Sequence, residues 1–103
     1  MNNLRKRILL EAIEHYGIGH QLVKVIEELS ELIQALAKND DDHVAEELAD
    51  VRIMLDQLEL ILDNHDRVQE WEYEKLMRLD ARVHAADTVR GDTMLERRRN
   101  VHG

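Results

Sequence analysis

Cysteine, proline and phenylalanine are absent from the 103-residue sequence, glycine occurs four times, and aromatic residues make up only 3% of the chain. Without cysteine there is no disulfide framework, no thiolate-ligated zinc and no thiol nucleophile, which fits a reducing compartment. No apolar run approaches the roughly 20 residues of a membrane-spanning helix, and residues 1–7 lead into no signal-peptide core. The sequence therefore predicts a soluble, cytoplasmic protein with no membrane partner. Basic residues are also in short supply. There are 14 Lys+Arg against 22 Asp+Glu, a formal charge of -8, whereas proteins that grip a nucleic-acid polymer use Lys and Arg to displace counterions. A nucleic-acid polymer is thus not an expected partner, and a phosphorylated ligand would need bridging cations.

The hydrophobic share is 44%, and with Tyr16, Trp71 and Tyr73 as the aromatics the core must be built from Leu, Ile, Val, Met and Ala. Together with 35% charged residues, this composition favours helix over strand. The expected fold is an all-α helical bundle. A chain this short buries a modest core, so a helix hairpin completed by oligomerisation is expected, with paired hairpins hiding apolar stripes that one hairpin leaves wet.

Apolar residues at Leu4, Ile8, Leu9, Ala12 and Ile13 recur at helical spacing until Gly17-Ile18-Gly19 stops them. From about His20 to Lys38, the series Leu22, Val25, Ile26, Leu29, Leu32, Ile33 and Leu36 forms a second stripe. Asn39-Asp40-Asp41-Asp42 ends it and suits the cap and first turn of a third helix, which runs to roughly Asp63. After Asn64-His65-Asp66, the positions Val68, Trp71, Leu76, Leu79 and Val83 predict a fourth helix to about Ala85. Residues 1–85 thus read as one domain. Residues 86–103 lose periodicity and read as a C-terminal arm or flexible tail, in which Arg97-Arg98-Arg99 is a solvated terminus before it is a phosphate patch.

The residues that carry chemistry are concentrated in Glu27-Glu28-Leu29-Ser30-Glu31 and Glu46-Glu47-Leu48-Ala49-Asp50. Each segment presents acids at i and i+3, neighbours on a helix surface. If the second and third helices form an antiparallel hairpin, Glu31 and Glu47 are each eight positions from Asn39, and Glu28 and Asp50 each eleven. All four then lie at nearly one height, about 12 to 17 Å from the bend. Glu47 and Asp50 share a strip with Met54 and Ile61, so they are expected to be partly enclosed. On the second helix the matching strip, Gln21, Lys24, Glu28, Glu31 and Ala35, reads as the wall of a cleft. Carboxylates packed this closely repel unless cations join them, and hard oxygen donors select Mg²⁺ or Mn²⁺. The plain alternative is a set of solvated faces paired with Lys24, Lys38 and Arg52. The six histidines show no paired metal spacing, and His20 and His43 read as helix-entry residues.

Glu28-x-x-Glu31, fifteen intervening residues, then Glu47-x-x-Asp50 resembles the EExxE…ExxD signature of the MazG-like, all-alpha nucleoside triphosphate pyrophosphohydrolases. The surrounding residues 27–38 (EELSELIQALAK) and 46–58 (EELADVRIMLDQL) agree, and the similarity extends over residues 19–83. The resemblance implies a Mg²⁺-dependent enzyme, dimeric or tetrameric, that hydrolyses nucleoside triphosphates to monophosphate and pyrophosphate in control of the nucleotide pool. It also implies that Glu28, Glu31, Glu47 and Asp50 are metal ligands and catalytic residues, with Glu27 and Glu46 as supporting acids or proton acceptors. Lys75 and Arg78 occupy the place of the family's basic patch and would neutralise phosphates, unless they are surface charges beside Glu72, Glu74 and Asp80.

Further substrate contacts are assigned by position. Gln21 and Lys24 lie on the cleft strip, where the Gln21 amide would reach a base or ribose edge. Lys38 is a phosphate candidate or a helix-capping residue. Trp71 reads first as a core residue and second as a stacking surface for a base. Two rival readings stand beside this one. Phosphoribosyl-ATP pyrophosphohydrolase shares the bundle and the acid chemistry, and a non-enzymatic helical interaction module would carry its acids as a soluble face.

Overall fold

The computed structural model describes residues 1–90. They form four α-helices: α1 (Asn3–Tyr16), α2 (Ile18–Ala37), α3 (Asp41–Leu62) and α4 (His65–Arg90). No strand occurs among the described residues. The fold is all-α, as composition and periodicity predict.

The helix ends follow from local chemistry. Asn2 caps α1, its Oδ1 accepting the Arg5 backbone N–H at 2.7 Å. Gly17 alone breaks α1 from α2, at φ 90, where a side chain would be strained. The helix resumes at Ile18, two residues before the expected start. Gly19 continues it because a helical glycine costs about 1 kcal/mol and does not by itself end a helix. Asp40 caps α3 by accepting the His43 backbone N–H at 3.2 Å, with Asp41 and Asp42 in the first turn. Asp63, at φ 50, ends α3 in the left-handed conformation. α4 runs on to Arg90, past the expected end at Ala85. The remainder of the arm expected at 86–103, including Arg97-Arg98-Arg99, lies outside the described residues.

The chain divides into two compact units, Met1–His65 and Asp66–Gly103. In the first, α2 and α3 form an antiparallel hairpin against which α1 packs, held in part by the Arg5–Asp56 ion pair at 2.7 Å. Leu9, Val25, Ala35, Val51 and Met54 are its buried apolar residues, and Gln21, Glu28, Glu47 and Gln57 are buried beside them. The face of α2 turned to α3 is therefore the strip read from sequence as a cleft wall. The apolar stripe is split: Val25 is buried and Leu22 and Leu32 are half-buried, whereas Ile26 is 65% exposed, Ile33 67% and Leu36 56%.

The second unit is represented by α4, in which no residue of 66–85 is buried. Trp71, expected first as a core residue, is 52% exposed. Charged residues, Glu72 and Lys75 among them, interrupt the apolar positions Val68, Trp71, Leu76, Leu79 and Val83, and α4 buries none of these by itself.

The hairpin register is fixed by a buried amide pair. The Gln21 Nε2 donates to Gln57 Oε1 at 2.7 Å, while the Gln57 Nε2 reaches only the Met54 sulfur, at 3.5 Å. Gln57→Leu is expected to destabilise the hairpin by about 1–3 kcal/mol, because it strands the Gln21 amide in a buried site. The Gln21→Leu/Gln57→Leu double variant should recover much of that loss in a denaturant-unfolding cycle.

Candidate metal centre

Midway along the hairpin, one carboxylate oxygen from each of Glu28, Glu47 and Asp50 falls within a group whose members all lie within 4.8 Å of one another. Glu47 and Asp50 reach it as i, i+3 neighbours on α3, and Glu28 comes from α2. Glu28 is 7% exposed and Glu47 4%. For carboxylates this depth is costly unless each oxygen finds a positive or donating partner.

Half of that demand is met. Glu28 Oε1 lies 3.3 Å from the Lys24 ammonium, which also approaches Glu27 Oε2 at 3.6 Å. Glu47 Oε1 lies 3.1 Å from His43 Nε2. The other oxygens, Glu28 Oε2 and Glu47 Oε2, are buried with no hydrogen-bond partner in the protein. Burial pushes the Glu47 carboxyl above its usual value, the nearby Glu31 charge adds to this and the His43 bond opposes it; the adjoining Glu28 carboxylate, which offers no donor while ionised, raises it further. In the opposite sense, the bond and charge of Glu28 hold Lys24 more firmly protonated than usual.

This donor set fits a hard divalent cation. Three acids from two helices converge, two of their oxygens are buried and unpartnered, and no soft ligand is present. Glu31, the fourth acid expected here, is exposed and outside the group of three, though close enough for its charge to act on Glu47.

The other sequence candidates fall in separate places. Gln21 is buried, its Oε1 facing His20 Nδ1 at 2.8 Å and its amide nitrogen given to Gln57. Lys38 is exposed at the C-terminal cap of α2. On α4, the Lys75 ammonium sits 6.0 Å from the centroid of the Trp71 ring, and Arg78 pairs with Glu74. Lys75, Arg78, Ala81 and Arg82 line a shallow hollow of the second unit. Glu27 and Glu46, considered as supporting acids, are both exposed.

Two functional candidates escape a reading based on motif alone. His43 is more than a helix-entry residue, and its i, i+4 spacing to Glu47 was the available signal. Gln57 mirrors Gln21, each eighteen positions from Asn39, so the arithmetic that aligned the acids also finds this pair.

The hairpin thus gathers three acids from two helices at one level on its inner face. The family model for the MazG nucleotide pyrophosphohydrolase domain matches residues 19–69, which cover α2 from its second residue, all of α3 and the start of α4. The chain belongs to the MazG-like family. The match points to a nucleotide pyrophosphohydrolase, in a family whose enzymes generally depend on a divalent metal. No curated protein and no solved structure matches the chain.

Proposed function

We propose that this protein is a Mg²⁺-dependent nucleoside triphosphate pyrophosphohydrolase that converts an NTP or dNTP and water to the monophosphate and pyrophosphate. The observation that carries this reading is the pair of buried, unpartnered oxygens of Glu28 and Glu47, beside Asp50 and within the MazG-matched segment. Glu28, Glu47 and Asp50 would hold Mg²⁺ or Mn²⁺, with Glu31 at the edge of the site. A bound divalent ion supplies charge neutralisation for the triphosphate and lowers the pKa of coordinated water. Water adds to the α-phosphorus, the bond between that phosphorus and the bridging oxygen to the β-phosphorus breaks, and pyrophosphate departs.

The protein's own part is position and charge. The hairpin sets three acids at one level, the Gln21–Gln57 bond keeps α2 and α3 in that register, and burial shields the carboxylates from bulk water. Lys38, Lys75, Arg78 and Trp71 are proposed contacts for the phosphates and base, and control of the cytoplasmic nucleotide pool is the proposed role.

The active form is proposed to be a homodimer or homotetramer joined through the outer face of α2. Val23, Ile26, Leu29, Ile33 and Leu36 are all exposed there. Every charged residue of α2 (Lys24, Glu27, Glu28 and Glu31) lies off this stripe, so a second copy would meet an uncharged surface about 20 Å long.

A screen of canonical and modified NTPs and dNTPs, with phosphoribosyl-ATP alongside, tests the reaction by scoring monophosphate and pyrophosphate. Turnover of phosphoribosyl-ATP alone would redirect the substrate assignment. Independently of turnover, Mg²⁺ should raise the unfolding temperature. At 100 times its Kd a ligand stabilises by about 2.7 kcal/mol, on the order of 10 °C for a domain of this size. A helical interaction module would show neither response.

A further inference from the structure

The two buried glutamates are held in the same way, one on each helix of the hairpin. Lys24 stands four residues before Glu28 on α2, and its ammonium lies 3.3 Å from Glu28 Oε1. His43 stands four residues before Glu47 on α3, and its Nε2 lies 3.1 Å from Glu47 Oε1. In both carboxylates the second oxygen is the buried one without a protein partner. We infer that Lys24 and His43 are positioning residues, each fixing one oxygen of its glutamate so that the other is presented, singly and pre-oriented, to a bound divalent cation. The inference rests on the proposed metal site and assigns to these residues a task separate from substrate contact.

The physical case has three parts. First, a glutamate side chain has three rotatable bonds, and its confinement in the apo protein lowers the ordering cost of ligation. A donor on Oε1 supplies that confinement. Second, side chains on a helix lean toward its N-terminus, so a donor four residues earlier meets the carboxylate without distorting either helix. Third, the donors lie at the rim, with the Lys24 side chain 41% exposed and that of His43 45% exposed, whereas the Glu28 and Glu47 side chains are 9% and 6% exposed. Removing either donor should therefore leave the core of the hairpin intact. The cap of α3 is also spared, because Asp40 accepts the backbone N–H of His43 and not its ring.

Positioning and simple electrostatics predict opposite signs at Lys24. A cation beside the site repels Mg²⁺, so on charge alone its removal would tighten metal binding. If Lys24 acts by orienting Glu28, its removal weakens binding despite the relief of that repulsion. The His43 bond gives a second measurement on the other helix, since its ring N–H donates to Glu47 without needing a positive charge.

The test titrates the full chain with Mg²⁺ alone and reads the metal concentration that gives half of the maximal rise in unfolding temperature. Lys24→Met and His43→Leu should each raise that concentration about 10-fold or more, within the range found for lost partners of metal ligands. The donor-retaining Lys24→Arg and His43→Gln should stay near the wild type, and helical circular dichroism should be unchanged in all four. An unchanged or lower half-saturation in Lys24→Met or His43→Leu overturns the inference. An equal loss in the donor-retaining variants also overturns it, because that pattern reports general disruption. A wild-type chain with no response to Mg²⁺ or Mn²⁺ instead overturns the metal site on which the inference stands.

Discussion

Glu47→Gln is expected to abolish Mg²⁺-dependent pyrophosphate release while leaving the helical fold in place. Glu47 is 4% exposed, contributes to the three-oxygen group and keeps one oxygen unpartnered. Glutamine preserves shape and the contact to His43 but removes the charge a divalent ion needs, so turnover should fall by more than the roughly 10–100-fold typical of losing an outer partner. Steady-state assays across a Mg²⁺ range check this, and retained turnover at saturating Mg²⁺ would remove Glu47 from the site.

The same variant carries a second expected result in metal-free buffer. Burial, followed by the Glu31 charge, holds the folded-state pKa of Glu47 above the ordinary value of 4.5. The folded protein therefore binds this proton more tightly than the unfolded chain does, so its contribution to stability falls as pH rises through 4.5 toward the raised value. Above that window the charged, buried carboxylate is a standing cost. Glu47→Gln should flatten this part of the stability profile and raise the metal-free unfolding temperature at neutral pH. An unchanged pH slope would show that Glu47 is not the group responsible.

If the proposed assembly joins through α2, Ile33→Asp is expected to leave monomers. Ile33, in the charge-free stripe of α2, is 67% exposed, and the hairpin itself leaves it without cover. In an interface related by two-fold symmetry, each substitution places two carboxylates in the contact, and a buried charge without a partner is costly. The dimer dissociation constant should rise by at least about 100-fold, some 2.7 kcal/mol. Sedimentation velocity should show the change in mass, while circular dichroism stays helical because Ile33 takes no part in the core of one chain. If the variant keeps the wild-type mass, the joining face is not this one.

Much of the candidate site was legible because helices convert spacing into position. Counting outward from Asn39 brings Glu28 level with Asp50 and Gln21 level with Gln57, and the observed hairpin joins both pairs. That arithmetic holds because the turn is tight and both helices rise evenly on either side of it. What it lacks is rotation. It ranked Glu31 equal to Glu28, yet Glu31 is exposed and Glu28 buried, since a small roll of α2 separates residues that share a turn. Nor did it assign a partner to His43, whose role depends on which of its neighbours is buried.

The sequence by itself determined that this chain is helical, where its first three helices end, and that acids from two of them meet at one height. Composition, caps and periodicity are local properties, so they act before any long-range contact exists. Only the tertiary structure decided which face of α2 turns inward, leaving Ile26, Ile33 and Leu36 outside and burying Gln21 and Glu28 against α3. It alone showed that two carboxylate oxygens are enclosed without partners, because desolvation is a property of the surroundings and not of the residue.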